Sequence, residues 1–199
     1  MKLILASTSP YRKLLLQKLQ IPFQCIAPGV DETPLPAESA EKLVARLALA
    51  KAQAIGEKIS EGFVVASDQV ASLNANILGK PLHYAAAFKQ LRDSSGKILT
   101  FHTALCLFNA STKQYKSIVE PFNVEFKNLS DQQIDTYLKM EQPYDCAGSF
   151  KSEGLGIVLF SALKGRDPNT LVGLPLIALI ELFSEMNIDI FEHMSSSHR

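Results

Sequence analysis

The chain has 199 residues, of which 47% are hydrophobic and 20% are charged, the composition of a globular protein rather than a disordered one. Its 20 Lys and Arg residues balance 20 Asp and Glu residues, so it lacks the basic excess with which general nucleic-acid binders neutralise phosphates. These values favour a small-molecule ligand and argue against a nucleic acid polymer as the partner.

The apolar runs and the cysteines both argue against a membrane or secreted protein. The most apolar stretch, residues 171–183, contains Pro175 and Glu181 and is shorter than the roughly 20 residues of a membrane span. The three cysteines are odd in number, far apart and outside any CxxC motif. We therefore expect a cytoplasmic protein with reduced thiols and no membrane contact.

The first half of the chain alternates predicted strands and helices. Ser9 followed by Pro10 predicts the start of a helix, with Leu14, Leu15 and Leu19 facing inward. The predicted elements of this half are strands at 3–6, 23–27 and 63–66, helices at 9–20 and 39–58, and a proline-rich acidic loop at 28–36.

The second half is predicted to contain longer strands. Ser130 and Gln133 have the spacing of a capping box, which predicts a helix start. The predicted elements here are helices at 84–92, 130–140 and 174–186 and strands at 98–108, 117–126 and 156–160. This order predicts one α/β domain at 1–190, with a mixed, curved sheet and helices in two lobes around a cleft, and a tail at 191–199.

A first candidate site joins the first strand to the first helix. Free backbone N–H groups at a helix N-terminus favour an anion, and Ser7, Ser9 and Arg12 add polar and basic donors there. The alternative is that Ser9 only caps the helix and that Arg12 is a solvated charge.

Two acidic residues form a second candidate site. Asp68 follows a buried run, at the expected carboxyl end of a strand, where α/β proteins place their ligands. A carboxylate there binds a divalent cation or accepts a proton from water. Glu32, in the loop that begins at Val30, is a second metal ligand on this hypothesis. The alternatives are a turn role for Asp68 and a solubilising role for Glu32.

Three further candidates lie in polar turns. Lys80 stands between Gly79 and Pro81, while Lys151 and Glu153 lie in a glycine-bracketed stretch before a predicted strand. On a functional interpretation the two lysines bind phosphate and Glu153 recognises a base. On the alternative interpretation they are solvated charges on a flexible connection, and the same two readings apply to residues 165–170.

Taken together, the candidates combine anion donors with carboxylates. A phosphoanhydride hydrolase needs donors for the developing phosphate charge and carboxylates for a metal ion and the attacking water. The sequence contains no P-loop, dinucleotide-binding or nucleophile-elbow motif that would indicate another chemistry.

The motifs LILASTSPYR, VDET, the KA of LALAKAQAI, SDQV, GKPL, AGSFKSEGLG and NTLVGLPL occur in this order over nearly the whole chain. In this they resemble the Maf family of nucleotide pyrophosphatases. The resemblance implies a fold similar to that of inosine triphosphate pyrophosphatases. It also implies hydrolysis of a nucleoside triphosphate to the monophosphate and pyrophosphate, with Mg²⁺ or Mn²⁺ as cofactor.

The resemblance also implies roles for individual residues. Asp68 matches the proton acceptor, and Glu32 is a partner for the metal. The family's polar and basic motif residues correspond to Ser7, Ser9, Arg12, Lys51 and Lys80.

Three positions separate the branches of the family. The branch acting on dTTP and UTP carries Arg, Thr and Gln where this chain has Tyr11, Gln69 and Glu153. The 7-methyl-GTP branch carries an aromatic residue, Gln and Glu, which agrees with this chain, although its aromatic residue is Trp and Tyr11 has a smaller ring. The resemblance therefore implies 7-methyl-GTP as substrate.

Two other functions stay open at this stage. One is a non-enzymatic, nucleotide-binding regulator of cell division, and the other is a pyrophosphatase for other non-standard nucleotides. Carboxylates near phosphate weaken binding unless they are compensated, which argues against a site that only binds. A homodimer is one of the assembly states left open.

Overall fold

The computed structural model describes residues 1–74 and 76–194. Within these residues the strands are β1 (Leu3–Leu5), β2 (Gln24–Cys25), β3 (Phe63–Leu73), β4 (Asn76–Leu78), β5 (Ile98–Asn109), β6 (Tyr115–Phe126) and β7 (Phe160–Lys164). The α-helices are α1 (Pro10–Gln17), α2 (Ala40–Gly56), α3 (Tyr84–Ser94), α4 (Asp131–Glu141), α5 (Asn169–Val172) and α6 (Leu176–Glu185). Short 3₁₀ helices cover Ala147–Ser149, Leu155–Leu159 and Ile190–His193.

The strands form one mixed sheet. Its order is β2-β1-β3-β5-β6-β7, and β4 pairs with β3. β1 runs parallel to both β2 and β3, whereas the β3–β4 and β6–β7 pairs are antiparallel. The predicted α/β fold with a mixed sheet is therefore confirmed.

The chain divides into two compact units. The first comprises Met1–Gln69, Thr103–Glu120 and the chain from Asp167 onward, and the second comprises Val70–His102 and Pro121–Arg166. The proposed domain bounds of 1–190 stay a prediction. Part of the predicted tail is the 3₁₀ helix Ile190–His193, and residues 195–199 lie outside the described residues.

The core of the first unit brings together side chains of β1, α1 and α6. Buried members include Leu5, Leu15, Leu16 and Phe183. The expectation that Leu14 faces inward was wrong, since 62% of this residue is exposed, whereas Leu16 is fully buried. The inward stripe of α1 follows the spacing 12, 15, 16 and 19, and position 14 falls outside it.

The second unit has an aromatic core. Phe150 packs edge-on against three other phenylalanines, Phe101, Phe126 and Phe160, with ring centroids 5.4, 5.8 and 4.7 Å away. Such edge-to-face contacts are the favoured geometry of aromatic pairs. Phe150 therefore anchors the segment that begins at Lys151.

Two predicted strand boundaries were wrong. β3 does not end before Asp68 but continues to Leu73, because its second half pairs with β4 after its first half has paired with β1. The strand predicted at 156–160 begins only at Phe160. Residues 155–159 form a 3₁₀ turn instead, in which the N–H of Gly156 binds the Lys151 carbonyl at 3.1 Å.

None of the helices within residues 1–74 and 76–194 is both long and apolar enough to cross a membrane.

Candidate active site

The turn between β1 and α1 is closed by its serines. Ser7 is buried, and its hydroxyl accepts a hydrogen bond from the N–H of Ser9 at 3.1 Å. Ser9 is the N-cap of α1, as predicted, and its hydroxyl accepts from the N–H of Arg12 at 3.3 Å. Pro10 occupies the first helical position, where its missing N–H costs no hydrogen bond. The capping role predicted for Ser9 is thus confirmed.

Arg12 lies on the inward stripe of α1 and is partly buried rather than solvated. Its Nε donates to the carbonyl of Gly173 at 2.9 Å, which fixes the plane of the guanidinium. Burial lowers the pKa of Arg12, and the carboxylates of Asp68 and Glu32 oppose that shift. Arg12 therefore shares its electrostatic environment with both predicted acids.

Lys51 connects the two acids. Its Nζ lies 2.5 Å from Asp68 Oδ1 and 2.6 Å from Glu32 Oε1. Lys51 is only 4% exposed because it occupies the apolar face of α2, among Leu47, Ala48 and Ile55. A lysine at a core position of an amphipathic helix is a sequence signal for a functional cation, although Lys51 was predicted from the family resemblance and not from its spacing.

Asp68 lies within β3, three residues beyond Val65, the last β3 residue that pairs with β1. β1 ends at Leu5, opposite Val65, so the residues of β3 that follow have no β1 neighbour. Burial raises the pKa of Asp68, while Lys51 and then Arg12 act in the opposite direction. A carboxylate with a raised pKa is a stronger base than an ordinary aspartate, which suits a proton acceptor.

The two carboxylates of the acidic loop, Asp31 and Glu32, have different partners. Asp31 accepts from the N–H and hydroxyl of Thr33 at 2.9 and 2.7 Å, an Asx turn. The loop is further held by Arg46, which pairs with Glu38 at 2.7 Å and lowers the pKa of Glu38 to about 2. Asp31 is therefore structural, and Glu32 is the acid directed to Lys51.

Glu32 and Asp68 suit a hard divalent cation. Mg²⁺ is usually bound by one or two carboxylates, with water and substrate phosphate completing its six ligands. Both carboxylates contact the same ammonium nitrogen, so the two side chains converge on one point. No cluster of three or more metal-binding side chains occurs among the residues described, so phosphate and water would supply the other ligands.

The turn after α5 receives side chains from β3. Ser67 donates to the Gly173 carbonyl at 2.8 Å, the same carbonyl that Arg12 uses. Gly173 adopts the left-handed conformation, with φ 107°, and ends α5 in a Schellman-type turn. The NTLVGLPL motif therefore positions Arg12 through backbone carbonyls, a role that sequence analysis missed.

Asp167 stabilises this turn from its start. The residue is 1% exposed, and its carboxylate accepts from the N–H of Asn169 and of Ile177, both at 2.8 Å. It thereby satisfies donors at the beginning of both α5 and α6. The suggestion that residues 165–170 contact phosphate stays a prediction, but the structural role of Asp167 is established.

Gln69 and Tyr11 also lie in the first unit. The Gln69 amide nitrogen donates to Thr103 Oγ1 and to the Thr170 carbonyl, both at 2.8 Å. Tyr11 is half-buried in the first turn of α1. Thr103 was not identified from the sequence, because threonine is common in strands and gave no signal there.

The remaining predicted residues lie in the second unit. Lys80 is exposed after β4, and Glu153 is exposed with one carboxylate oxygen 3.0 Å from the Ser152 hydroxyl. Lys151 is partly buried, and its Nζ lies 3.6 Å from Glu141.

The segment containing Lys151 and Glu153 is held by α4. Glu141 accepts from the N–H of Leu155 at 2.8 Å, and the Tyr137 hydroxyl accepts from the N–H of Lys151 at 3.2 Å. Glu141 therefore binds both ends of residues 151–155, which we call the recognition loop. Nothing in the sequence distinguished Glu141 from other surface acids on this helix.

Cys146, near the start of this region, is not an activated thiol. Burial and the neighbouring Asp145 raise its pKa to about 12, so the thiolate is not populated at neutral pH. Cys106 is likewise buried, with its pKa raised to about 12, whereas Cys25 is exposed.

Comparison with known proteins agrees with these features. A family model described as Maf-like protein matches residues 2–186. A 7-methyl-GTP pyrophosphatase of Pseudoalteromonas atlantica is 59% identical over 194 residues, covering 98% of this chain and 100% of that protein. Another, from Nitrosococcus oceani, is 56% identical over 183 residues, covering 92% of each.

The fold also occurs among solved structures. The Ham1 protein of Staphylococcus aureus is 14% identical, with a TM-score of 0.53 over 94% of this chain and 100% of that one. At this identity the likeness concerns the fold alone.

Proposed function

Since the chain belongs to the Maf family, we propose that it hydrolyses 7-methyl-GTP to 7-methyl-GMP and pyrophosphate. The two relatives that carry this name are 59% and 56% identical to it over nearly its full length. Within the molecule, the proposal depends most on the buried ion pair of Lys51 and Asp68. This pair, together with Arg12, places a general base next to two cationic side chains.

Asp68 is the proton acceptor of the proposed reaction. A water molecule attacks the α-phosphorus and gives its proton to the Asp68 carboxylate. The new bond joins the water oxygen to the α-phosphorus, and the bond from that phosphorus to the bridging oxygen of the β-phosphate breaks. Pyrophosphate leaves with the bridging oxygen and its electron pair. The raised pKa of Asp68 supports this role, because it brings the base closer to neutral pH.

Arg12 and the β1–α1 turn stabilise the phosphates in this proposal. The Gly173 carbonyl occupies Nε of Arg12, so the outer nitrogens of the guanidinium are the donors it offers to an anion. Ser7 and Ser9 lie at the same helix N-terminus. Lys80 is a proposed phosphate ligand on the family resemblance, and Lys151 is another because of its place in a glycine-bracketed loop.

Lys51 keeps Asp68 in its basic form. Its ammonium lies between two carboxylates, and it opposes the effect of burial on the Asp68 pKa. Mg²⁺ or Mn²⁺ held by Glu32 and Asp68 would neutralise phosphate charge and polarise the bond that breaks.

Base recognition is proposed for Tyr11, Gln69 and Glu153. Methylation at N7 gives guanine a delocalised positive charge, which an aromatic ring attracts by about 0.5–2 kcal/mol depending on desolvation. Glu153 would accept two hydrogen bonds from N1–H and the exocyclic amino group, a donor pair that thymine and uracil lack. Its negative charge also favours the methylated cation over GTP.

A panel of nucleotides tests the proposal. Pyrophosphate release is measured with 7-methyl-GTP, GTP, UTP and dTTP, each with Mg²⁺, with Mn²⁺ and with EDTA. We expect the highest kcat/KM for 7-methyl-GTP and loss of activity in EDTA. A preference for UTP or dTTP would overturn the substrate, and full activity in EDTA would overturn the metal. If no nucleotide turns over while one raises Tm, the protein is a binding protein and not a hydrolase.

A further inference from the structure

The amide nitrogen of Gln69 is enclosed by hydrogen-bond acceptors. Nε2 lies 2.8 Å from Thr103 Oγ1, 2.8 Å from the Thr170 carbonyl and 3.3 Å from the Leu171 carbonyl. Two of these three atoms are carbonyl oxygens, which only accept. The amide therefore has one stable orientation, with its nitrogen toward the Thr103 hydroxyl and the carbonyls of Thr170 and Leu171.

Thr103 completes this arrangement. The residue is fully buried in β5, and its hydroxyl donates to the Thr170 carbonyl at 3.0 Å. Because its single proton is used there, the hydroxyl receives the Gln69 N–H as an acceptor. The Thr103 hydroxyl therefore favours the Gln69 amide nitrogen over its oxygen. In the described part of the chain it is the one side-chain group that does so, beside the two backbone carbonyls.

The oxygen of the amide lies on the side of Gly173, whose backbone Arg12 also contacts. A Cβ placed on Gly173 would be 3.7 Å from Gln69 Oε1 and 3.4 Å from Arg12 Nε. Gln69 also points to the same side of β3 as Ser67, whose hydroxyl binds the Gly173 carbonyl. Oε1 and the Arg12 guanidinium therefore both lie beside the Gly173 backbone.

We propose that Thr103 is a positioning residue for substrate specificity, which fixes Gln69 so that it presents an acceptor, Oε1, to the nucleoside. The group it recognises is a hydrogen-bond donor on that nucleoside, either the exocyclic amino group of guanine or the 2′-hydroxyl of the ribose. This inference rests on the proposed function, because it assumes that a nucleotide occupies the site. On this proposal, Gln69 discriminates between substrates because its fixed amide accepts a hydrogen bond from the nucleoside and cannot donate one.

Three substrates separate the two sources of the donor. 7-Methyl-GTP carries both donors, 7-methyl-ITP lacks the exocyclic amino group, and 2′-deoxy-7-methyl-GTP lacks the 2′-hydroxyl. Thr103→Val keeps the shape of the side chain and removes the hydroxyl. We expect it to lower kcat/KM for 7-methyl-GTP by about 3- to 10-fold, the effect of weakening one hydrogen bond. The loss should disappear for the analogue that lacks the recognised donor.

Two variants serve as controls. Thr103→Ser retains the hydroxyl and should keep the wild-type order of the three substrates. Thr100→Val makes the same substitution on the same strand and removes a hydrogen bond to Asn123 at 2.8 Å. It should change Tm without changing the ratios of kcat/KM. An equal loss for all three substrates in Thr103→Val would overturn the proposal, because a merely structural threonine would act in that way.

Gln69→Ala provides the test if Thr103→Val does not fold. It removes the acceptor itself, so its loss of kcat/KM should also disappear for one of the two analogues. A uniform loss would overturn the proposal. If the wild type hydrolyses none of these nucleotides, the proposed reaction alone fails. The same comparisons are then made with Kd from calorimetry, and absence of binding or a uniform change in Kd would overturn this inference too.

Discussion

The two units hold their predicted functional residues in different ways. In the first unit, Lys51 and Asp68 lie on a long helix and a long strand, and both are less than a tenth exposed. In the second unit, Lys151 and Glu153 lie on the recognition loop, which consists of turns, and Glu153 is exposed. In the first unit the charged side chains pair with one another, since Lys51 contacts both acids. In the second unit the loop that carries Lys151 and Glu153 is held by Glu141 and Tyr137.

This difference corresponds to two kinds of task. Buried charges are costly unless they are paired, and the pairing that makes them tolerable also fixes their geometry. Fixed dipoles and charges are what electrostatic catalysis needs. A loop anchored at a few points adapts to the shape of a ligand, and recognition residues are often found on such segments. On the proposed function, the first unit therefore carries out the chemical step, and the second unit adds Glu153 to the proposed specificity residues Tyr11 and Gln69 of the first.

The largest effect is expected from Asp68→Asn. This variant keeps the shape of the side chain but removes the base, so kcat for 7-methyl-GTP should fall by about 10²- to 10⁴-fold. Circular dichroism and Tm should report a folded protein. Asp93→Asn breaks an exposed ion pair with Lys89 on α3 and serves as the matched control, with unchanged kcat. Near-normal turnover by a folded Asp68→Asn protein would remove Asp68 from the mechanism.

Lys51→Met separates the electrostatic role of Lys51 from its packing. Loss of the charge-assisted bond should lower kcat/KM by about 10- to 100-fold at neutral pH. Lys51 acts to lower the pKa of Asp68, so its removal raises that pKa further, and the acid limb of the kcat/KM profile should move to higher pH. An unshifted acid limb would show either that this limb does not report the titration of Asp68 or that Lys51 does not control the pKa of Asp68.

The stability of Lys51→Met should depend on pH with a definite sign. A carboxyl group whose pKa is raised on folding contributes stability that is full below its unfolded pKa and is lost as pH rises through its folded pKa. The free energy of unfolding of Lys51→Met, relative to wild type, should therefore fall as pH rises from acid to neutral. Lys42→Met, an exposed change on the same helix, should give no such slope.

Much of the first unit was predictable, because its signals are local. The Ser9 cap and the apolar run of β1 depend on neighbouring residues, and both were predicted correctly. Lys51 was identified from the family resemblance, although its place on the apolar face of α2 was a physical signal in its own right. The end of β3 was misjudged because the polar residues Ser67 to Gln69 resembled a turn, whereas pairing with β4 extends the strand.

The recognition loop was less predictable, because tertiary contacts determine it. Residues 156–160 have the composition of a strand, but Gly156 lies against the Lys151 backbone, where a Cβ would be 2.3 Å from the carbonyl oxygen. Only glycine permits that turn, and it displaces the strand to Phe160. The roles of Thr103 and Glu141 likewise depend on partners distant in sequence, so no local pattern indicated them.

A triple substitution tests whether selectivity depends on both units. Tyr11→Arg, Gln69→Thr and Glu153→Gln together introduce the residues of the branch acting on dTTP and UTP. We expect the ratio of kcat/KM for 7-methyl-GTP to that for UTP to fall by about 10- to 30-fold, since the variant loses a cation–π contact and a charged acceptor. Glu153→Gln alone should have the largest single effect on 7-methyl-GTP, because a donor then faces a donor. An unchanged ratio in the triple variant would exclude these residues from base recognition.

The smallest effect is expected where the recognition loop meets α4. Glu141→Gln keeps an acceptor for the N–H of Leu155 but removes the charge facing Lys151, whereas Glu141→Ala removes both contacts. A partly exposed ion pair contributes little free energy to the ordering of a loop. We therefore expect KM for 7-methyl-GTP to rise by about 3-fold in the Gln variant. In the Ala variant, which also loses the hydrogen bond, it should rise by about 10-fold. Neither variant should change kcat or the acid limb of the profile of kcat/KM against pH, because Asp68 and the cations next to it belong to the first unit.

A control variant separates this effect from the loss of any carboxylate in the second unit. Glu125→Gln breaks the ion pair with Lys164 between β6 and β7 and serves as that control. A fall in kcat with unchanged KM for Glu141→Gln would mean that the recognition loop takes part in the chemical step, and the division of tasks between the units would be wrong.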